Sequence, residues 1–274
     1  MAVNLECEIA GRQLHLARRF ERAFFVFGLR RGGNHAIAEW LMGHFAPREI
    51  AYLYNAPLAP LAIRGDRLVY DQARDMGVLL AGGQTVCIIG YENTNFLDFP
   101  LADNSRIAAR NDVLVVLRDF PNMAASIVRS ARERPAFAYD YFLKDFPAKW
   151  AFYARHFRDR TRELVYLSYN DWFKYPDYRQ RLSLRLGLEF SDRGLNRVAR
   201  HGGGSSFDGR TMHGRAQAMN VLNRWAEMWD DDLFLSVLLE GDNLELNAEI
   251  LGHFPYDRQD VMLRRNHVRG LSRS

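Results

Sequence analysis

Short, continuous apolar runs punctuate this chain and alternate with stretches of helical periodicity. Phe24-Phe25-Val26-Phe27 is the first run, ended by Gly28, and Ala36, Ile37, Trp40 and Leu41 follow at helical spacing. That order predicts a buried strand, a tight loop and a helix. Further buried strands are predicted at Thr85 to Gly90, Asp112 to Leu117 and Glu163 to Ser168, each with a helical pattern within a few tens of residues after it. Helices are expected over Tyr139 to Phe157, Pro176 to Leu186 and Ala216 to Leu239. Strands that alternate with helices give an α/β fold with a mostly parallel central sheet and helices on both faces. Such sheets bind ligands outside the carboxyl ends of their strands, so function is expected just after Phe27, Gly90, Leu117 and Ser168. At the N-terminus Val3, Leu5, Cys7 and Ile9 alternate with polar residues and a second alternation runs through Leu14 and Leu16, which predicts a peripheral hairpin over 1–20.

No repeat, low-complexity linker or charge run marks a boundary, so residues 1–274 are expected to form one domain with a basic C-terminal tail over 255–274. Hydrophobic residues at 48% and charged residues at 26% are ordinary globular usage, which excludes a disordered or fibrous chain. The net charge is +4, and only Lys144, Lys149 and Lys174 of the 37 basic residues are lysines. There is no lysine-rich block, so no nucleic-acid partner is expected. Arginine favours bidentate capture of phosphate or sulfate, although a coding bias would enrich it equally. Cys7 and Cys87 lack the spacing of a disulfide framework or a zinc site, which predicts no metal centre and a reducing compartment. No stretch approaches the ~20 apolar residues of a membrane span, and no leader pattern opens the chain, so a cytoplasmic protein is expected.

The candidate chemistry begins in the first strand–helix loop, Gly28-Leu29-Arg30-Arg31-Gly32-Gly33-Asn34-His35. A glycine pair lets the backbone curl closely, and the free N–H groups and dipole of a helix N-terminus favour an anion. Against the nucleotide-hydrolase pattern G-x-x-x-x-G-K-[ST], the loop keeps Gly28 and Gly33 but has Asn34 for the lysine and His35 for the magnesium-holding hydroxyl. A loop of this composition has to neutralise its ligand with protein cations, and Arg30 and Arg31 stand inside it. The plain alternative is a tight turn. A second basic position follows the third strand: Arg118 ends it, and Ser126 lies two turns into the next helix.

Together these two segments resemble the sulfotransferase superfamily, whose donor is 3′-phosphoadenosine 5′-phosphosulfate. The run Gly28 to Ile37 is similar to the Arg-Lys-Gly-Gly-Thr-Arg-Ala loop of heparan sulfate sulfotransferases. The family's strand ending in Leu-Arg-Asp-Pro, with a serine eight residues after the arginine, is similar to Leu117-Arg118-Asp119 with Ser126. Val165 to Trp172 resembles a later Tyr-Glu-Asp-Leu stretch, and Leu186-Gly187-Leu188 a Phe-Leu-Gly. Three departures stand out: Arg31 takes the place of the family's lysine, Phe120 intervenes before Pro121, and the late Arg-Lys-Gly loop is missing as such.

The resemblance implies a fold like that of P-loop nucleoside triphosphate hydrolases and sulfuryl transfer to a hydroxyl-bearing acceptor, a sugar, glycolipid or small molecule. It implies that Arg30, Arg31, Gly32, Gly33, Asn34 and His35 cradle the phosphosulfate and that Arg118 and Ser126 hold the 3′-phosphate. Gly203, Gly204 and Ser205, in the chain's glycine run, stand where the missing loop would bind. Arg31 is then the leaving-group cation and Glu92, just after the second strand, the general base, with His35, His201 and His213 as rivals. The arginines Arg264, Arg265, Arg269 and Arg273 are candidates to meet an anionic acceptor. Two other readings remain open from the residues: a nucleotide-dependent kinase or hydrolase, and a catalytically silent nucleotide-binding scaffold.

Overall fold

Alternate residues of one apolar run enter two different cores. Phe24 and Val26 pack on one side of a strand with Ile37, Trp40 and Leu41, while Phe25 and Phe27 pack on the other with Met123, Trp150 and Tyr153. That period of two is what a strand buried on both faces requires. The computed structural model describes residues 7–9, 12–14, 20–64, 67–71, 76–80, 82–100, 104–133, 143–160, 162–199, 205, 207–252 and 254–271. Strands β1 (Cys7–Ile9) and β2 (Arg12–Leu14) pair antiparallel. The central strand β3 spans Phe20–Gly28 and leads through the glycine loop into α1, Asn34–Met42.

β3 is longer than its apolar run because Arg22 is neutralised in place. Its guanidinium meets Asp112 of a neighbouring strand at 2.7 Å and lies over the Phe24 ring at 4.3 Å. After α1 come β4 (Ile50–Leu53), the antiparallel trio β5 (Ala62–Arg64), β6 (Arg67–Asp71) and β7 (Met76–Leu79), then β8 (Val86–Glu92) and β9 (Ala108–Leu117). Helix α2 (Phe120–Glu133), α3 (Phe146–Asp159), β10 (Val165–Ser168), α4 (Tyr169–Lys174) and α5 (Pro176–Leu186) follow. The chain closes through α6 (Asp232–Leu238), α7 (Asn243–Ile250) and α8 (Arg258–Leu271).

The five-stranded sheet has the order β10-β9-β3-β8-β4, and every adjacent pair in it is parallel. Helices cover both faces, α1, α4 and α5 on one and α2, α3, α6 and α7 on the other. The fold is therefore α/β with a parallel central sheet. Between β8 and β9 the chain crosses to the far side of β3, so a crevice opens at the carboxyl end of β3, where a doubly wound sheet takes its ligand.

Several expectations need correction. The edge strand β4 and the trio β5 to β7 lie in a stretch, between the first helix and the strand expected at Thr85 to Gly90, for which the sequence pattern predicts no strand. No helix runs from Ala216 to Leu239; short 3-10 turns at Ala216–Ala218 and Arg224–Met228 precede α6. Asn and Asp side chains compete with helical hydrogen bonds there. Asn223 Nδ2 bonds Asn220 Oδ1 at 3.2 Å, and Asp231 accepts the N–H groups of Leu233 and Phe234, which starts a new helix. The basic C-terminal stretch is helical through Leu271, with Arg264 paired to Asp230 and Arg265 and Arg269 paired to Asp232. These three arginines thus have counterions within the fold. Cys87 is fully buried, where loss of water pushes its thiol pKa up, and Arg273 lies outside the described residues.

Candidate anion-binding cleft

The glycine loop turns twice through left-handed backbone, at Arg31 (φ 69°) and Gly33 (φ 93°). Gly33 admits no side chain, because a Cβ there would stand 2.2 Å from the Tyr169 ring. Tyr169 begins α4 just past β10, so the carboxyl end of β10 packs directly against the loop after β3. Gly32 spends its N–H on Leu29 O at 2.9 Å, and Asn34 Nδ2 returns to the same carbonyl at 3.1 Å. Asn93, also left-handed at φ 57°, staples the loop from the β8 side: its N–H donates to Gly28 O (3.0 Å) and its Oδ1 accepts from Arg30 N (2.9 Å). Helix α1 that follows has no side-chain cap and no acidic residue in its first turn. Its first N–H groups therefore lack side-chain acceptors, the condition that suits an external anion.

Beside the loop lies a cleft, open to solvent and lined among the described residues by Arg30, Arg31, Arg118, Arg197 and Arg224 against a single carboxylate, Glu92. Gly33, Asn34, His35 and Ser205 also line it. Arg31 Nη2 donates to Ser130 Oγ at 3.0 Å. Arg118 is buried, donates from Nη1 to Arg31 O at 3.1 Å and from Nη2 to Val221 O, and stands 5.3 Å from the centre of the Tyr169 ring. It thereby ties the glycine loop to the segment carrying Arg224. Asp119 does not face the cleft; it accepts Asn122 N and the side-chain amides of Asn122 and Asn170 and so starts α2. Phe120 stacks on Phe146 at 5.2 Å in the core, which accounts for an apolar residue ahead of the proline.

Ser126 is fully buried and is not part of the cleft wall. Its Oγ donates to Asn122 O (2.9 Å) and accepts from Arg224 Nη1 (3.3 Å). The serine therefore reaches the cleft only through Arg224. The other guanidinium nitrogen, Nη2, meets Ser205 Oγ at 2.6 Å and Asp208 Oδ2 at 3.2 Å. Burial, then repulsion from Arg118, pushes the Arg224 pKa down to about 10, which leaves it charged at neutral pH. Neither Arg118 Nε nor Arg224 Nε makes a hydrogen bond among the described residues, and both atoms are buried. Buried cationic donors left unmade are costly, and an anion in the cleft would supply their acceptors. Gly203 and Gly204 lie outside the described residues.

Across the cleft, Glu92 ends β8 opposite Gly28. Its side chain is 8% exposed, and burial raises its pKa, an effect opposed by Arg30, a hydrogen bond from Asn34 and Arg31. His35 Nε2 lies 3.5 Å from Glu92 Oε1, and the His35 ring packs on Tyr54 at 4.5 Å. His213 does not line the cleft; its Nδ1 lies 3.1 Å from Val198 N and 3.2 Å from Val198 O, and His201 lies outside the described residues. The structure thus brings Arg30, Arg31, Gly33, Asn34, His35, Glu92, Arg118 and Ser205 to one cleft. Sequence reasoning missed Arg224, which it laid along a helix, and also Arg197, Tyr54 and Tyr169. An arginine just after the paired asparagines Asn220 and Asn223 was the available signal for Arg224.

No protein-family model and no curated protein matches the chain. Among solved structures it is similar to mouse sulfotransferase SULT7A1 complexed with PAP, at 11% identity and a TM-score of 0.46, over 90% of this chain and 99% of that one. It is likewise similar to the sulfotransferase domain of the Synechococcus PCC 7002 olefin synthase, at 15% identity and a TM-score of 0.45, over 88% of this chain and 96% of that domain. Both are sulfotransferase structures.

Proposed function

We propose that the chain is a sulfotransferase that moves a sulfuryl group from 3′-phosphoadenosine 5′-phosphosulfate to a hydroxyl acceptor. The observation that carries this reading is the charge of the cleft, five arginines against one carboxylate among the described residues, and we assign four of the arginines to the two ends of the donor. Arg30, Arg31 and the uncapped N-terminus of α1 form one end, suited to the phosphosulfate. Arg118, Arg224 and Ser205 form the other, suited to the 3′-phosphate, with Ser126 acting from behind Arg224. Planar guanidiniums match phosphate and sulfate oxygens in pairs.

In the reaction Glu92 takes the proton of the acceptor hydroxyl as that oxygen bonds to sulfur. Arg31 and Arg30 then stabilise the charge left on the phosphate oxygen when its bond to sulfur breaks. Arg31 does this as a fixed charge and hydrogen-bond donor, since a guanidinium does not give up its proton near neutral pH. Positioning and electrostatics supply most of the catalysis, as in phosphoryl transfer.

Thermal melts with adenosine 3′,5′-bisphosphate, with magnesium ATP and with an Arg118→Ala variant test the reading. A ligand at about one hundred times its Kd adds about 2.7 kcal/mol, several degrees for a chain of this size. A shift with the bisphosphate that Arg118→Ala removes supports the donor site. A shift with magnesium ATP alone moves the protein to the kinase or hydrolase class, and no shift with either leaves a scaffold that binds neither ligand.

A further inference from the structure

If Glu92 is the base, the fold gives it a difficulty: the carboxylate is almost enclosed, and a filled cleft would leave its new proton no route to water. His35 stands where that proton would have to go. Its Nε2 is 3.5 Å from Glu92 Oε1, and its side chain is 26% exposed against 8% for Glu92. The imidazole is fixed from the other side by the Tyr54 ring at 4.5 Å and from below by its place in the first turn of α1. Arg30 and Arg31 from the loop, Asn34 from α1, and Tyr52 and Tyr54 from β4 and its exit also face Glu92. Of these, His35 is the one whose ordinary titration lies near neutral pH.

We propose that His35 and Glu92 work as a two-membered proton relay, a reading that rests on the sulfuryl-transfer assignment above. The acceptor's O–H bond breaks and its proton passes to Glu92 while the oxygen bonds to sulfur. The bond from sulfur to the donor's phosphate oxygen breaks, and its electron pair stays on that oxygen. Glu92 then passes the proton to Nε2 of neutral His35; Nδ1 is buried, so Nε2 itself releases the proton to water at the cleft mouth, and the carboxylate is left ionised for the next turnover. His35 touches no reacting atom in this scheme; it is a positioning and proton-clearing residue that acts through Glu92. It also stands in the position where a nucleotide hydrolase carries a magnesium-holding hydroxyl, so its identity fits this task better than that one.

Two measurements test the relay. The first follows the His35 ring resonances by NMR across about pH 5 to 9 in the whole protein and in Glu92→Gln. A carboxylate at this distance favours the imidazolium, so the variant should move the His35 midpoint to lower pH, and an unmoved midpoint overturns the coupling. The second compares turnover of the donor with 4-nitrophenol and other phenols and sugars in wild type and His35→Gln, across the same pH range. Expected are a fall in kcat of roughly ten- to hundredfold and an altered acid limb. Wild-type kcat and pH profile in His35→Gln would overturn the relay while leaving the donor assignment standing. Failure of the wild type both to bind the bisphosphate and to transfer a sulfuryl group would overturn the assignment, and the relay with it.

Discussion

Arg224 is the residue whose replacement separates a binding cation from a structural one, because the two roles predict opposite signs. In the folded chain it is 6% exposed, faces Arg118, and has Asp208 as its acidic partner at 3.2 Å. A pKa pushed down to about 10 means that the charged form is disfavoured by folding, by about 3 kcal/mol at 1.36 kcal/mol per unit. The sign follows from linkage: the folded state holds this proton less tightly, so the penalty is complete below about pH 10 and is relieved only as pH climbs toward the unfolded value. At neutral pH the protein carries all of it. Arg224→Met keeps most of the side chain's volume and removes the charge. Asp208, 29% exposed and still bonded to Ser205 Oγ, can be solvated, so its loss of partner costs little. What the variant gains is relief of the desolvation of the guanidinium and of its repulsion from Arg118. The variant should therefore melt a few degrees higher than wild type without ligand, by differential scanning calorimetry near pH 7.5.

With bisphosphate the order reverses. Loss of a charge-assisted hydrogen bond of about 1.5–3 kcal/mol weakens binding roughly 10- to 100-fold. At a concentration near one hundred times the wild-type Kd, the added stability falls from about 2.7 kcal/mol to about 0.4 kcal/mol at the hundredfold end. A variant that melts lower than wild type and keeps the full ligand shift would refute the reasoning and make Arg224 a structural residue.

Two further substitutions have definite expectations. Gly33→Ala places a methyl 2.2 Å from the Tyr169 ring at a backbone φ of 93°, and urea unfolding should show a loss of at least about 2 kcal/mol together with a loss of the bisphosphate response. Glu92 has a folded-state pKa raised mainly by burial, so its contribution to stability is present in acid and lost as pH rises through that value. Glu92→Gln should accordingly match wild-type stability near pH 4 and gain on it toward pH 8 in melts across about that range, while turnover drops by roughly two to four orders of magnitude.

The readable part of this protein is local. Phe24 to Phe27 announces a buried strand because a continuous apolar run of that length fits a sheet covered on both faces, and Gly28 to His35 announces a close turn into a helix because glycines and the following periodicity are adjacent in the chain. Arg118 at the end of a strand could be placed in the crevice for the same reason. Ser126 was placed there wrongly. Spacing along a helix shows that it points toward the loop side, but not that Arg224 lies in between. The strand β4 left no usable signal, since Ile50–Leu53 is a four-residue edge strand whose burial depends on pairing with β8. Likewise, helical spacing around Trp225 and Trp229 suggested one long helix, whereas asparagine and aspartate side chains divide it into turns.

What the sequence determined by itself was the order of elements and the type of chemistry: strand ends that carry arginine, a glycine loop without lysine or a magnesium-binding hydroxyl, and a carboxylate at the end of the next strand. These depend on neighbours in the chain, where residue type and periodicity act directly. Which charges converge was decided by tertiary structure alone. Arg224 bonds Ser126 across 98 residues, Arg118 reaches Val221 across 103, and the His35–Glu92 pair forms only when β3 and β8 lie side by side. Contacts at such separations are set by how the sheet is wound and packed, and a side chain's place in them leaves no periodic trace in the sequence around it.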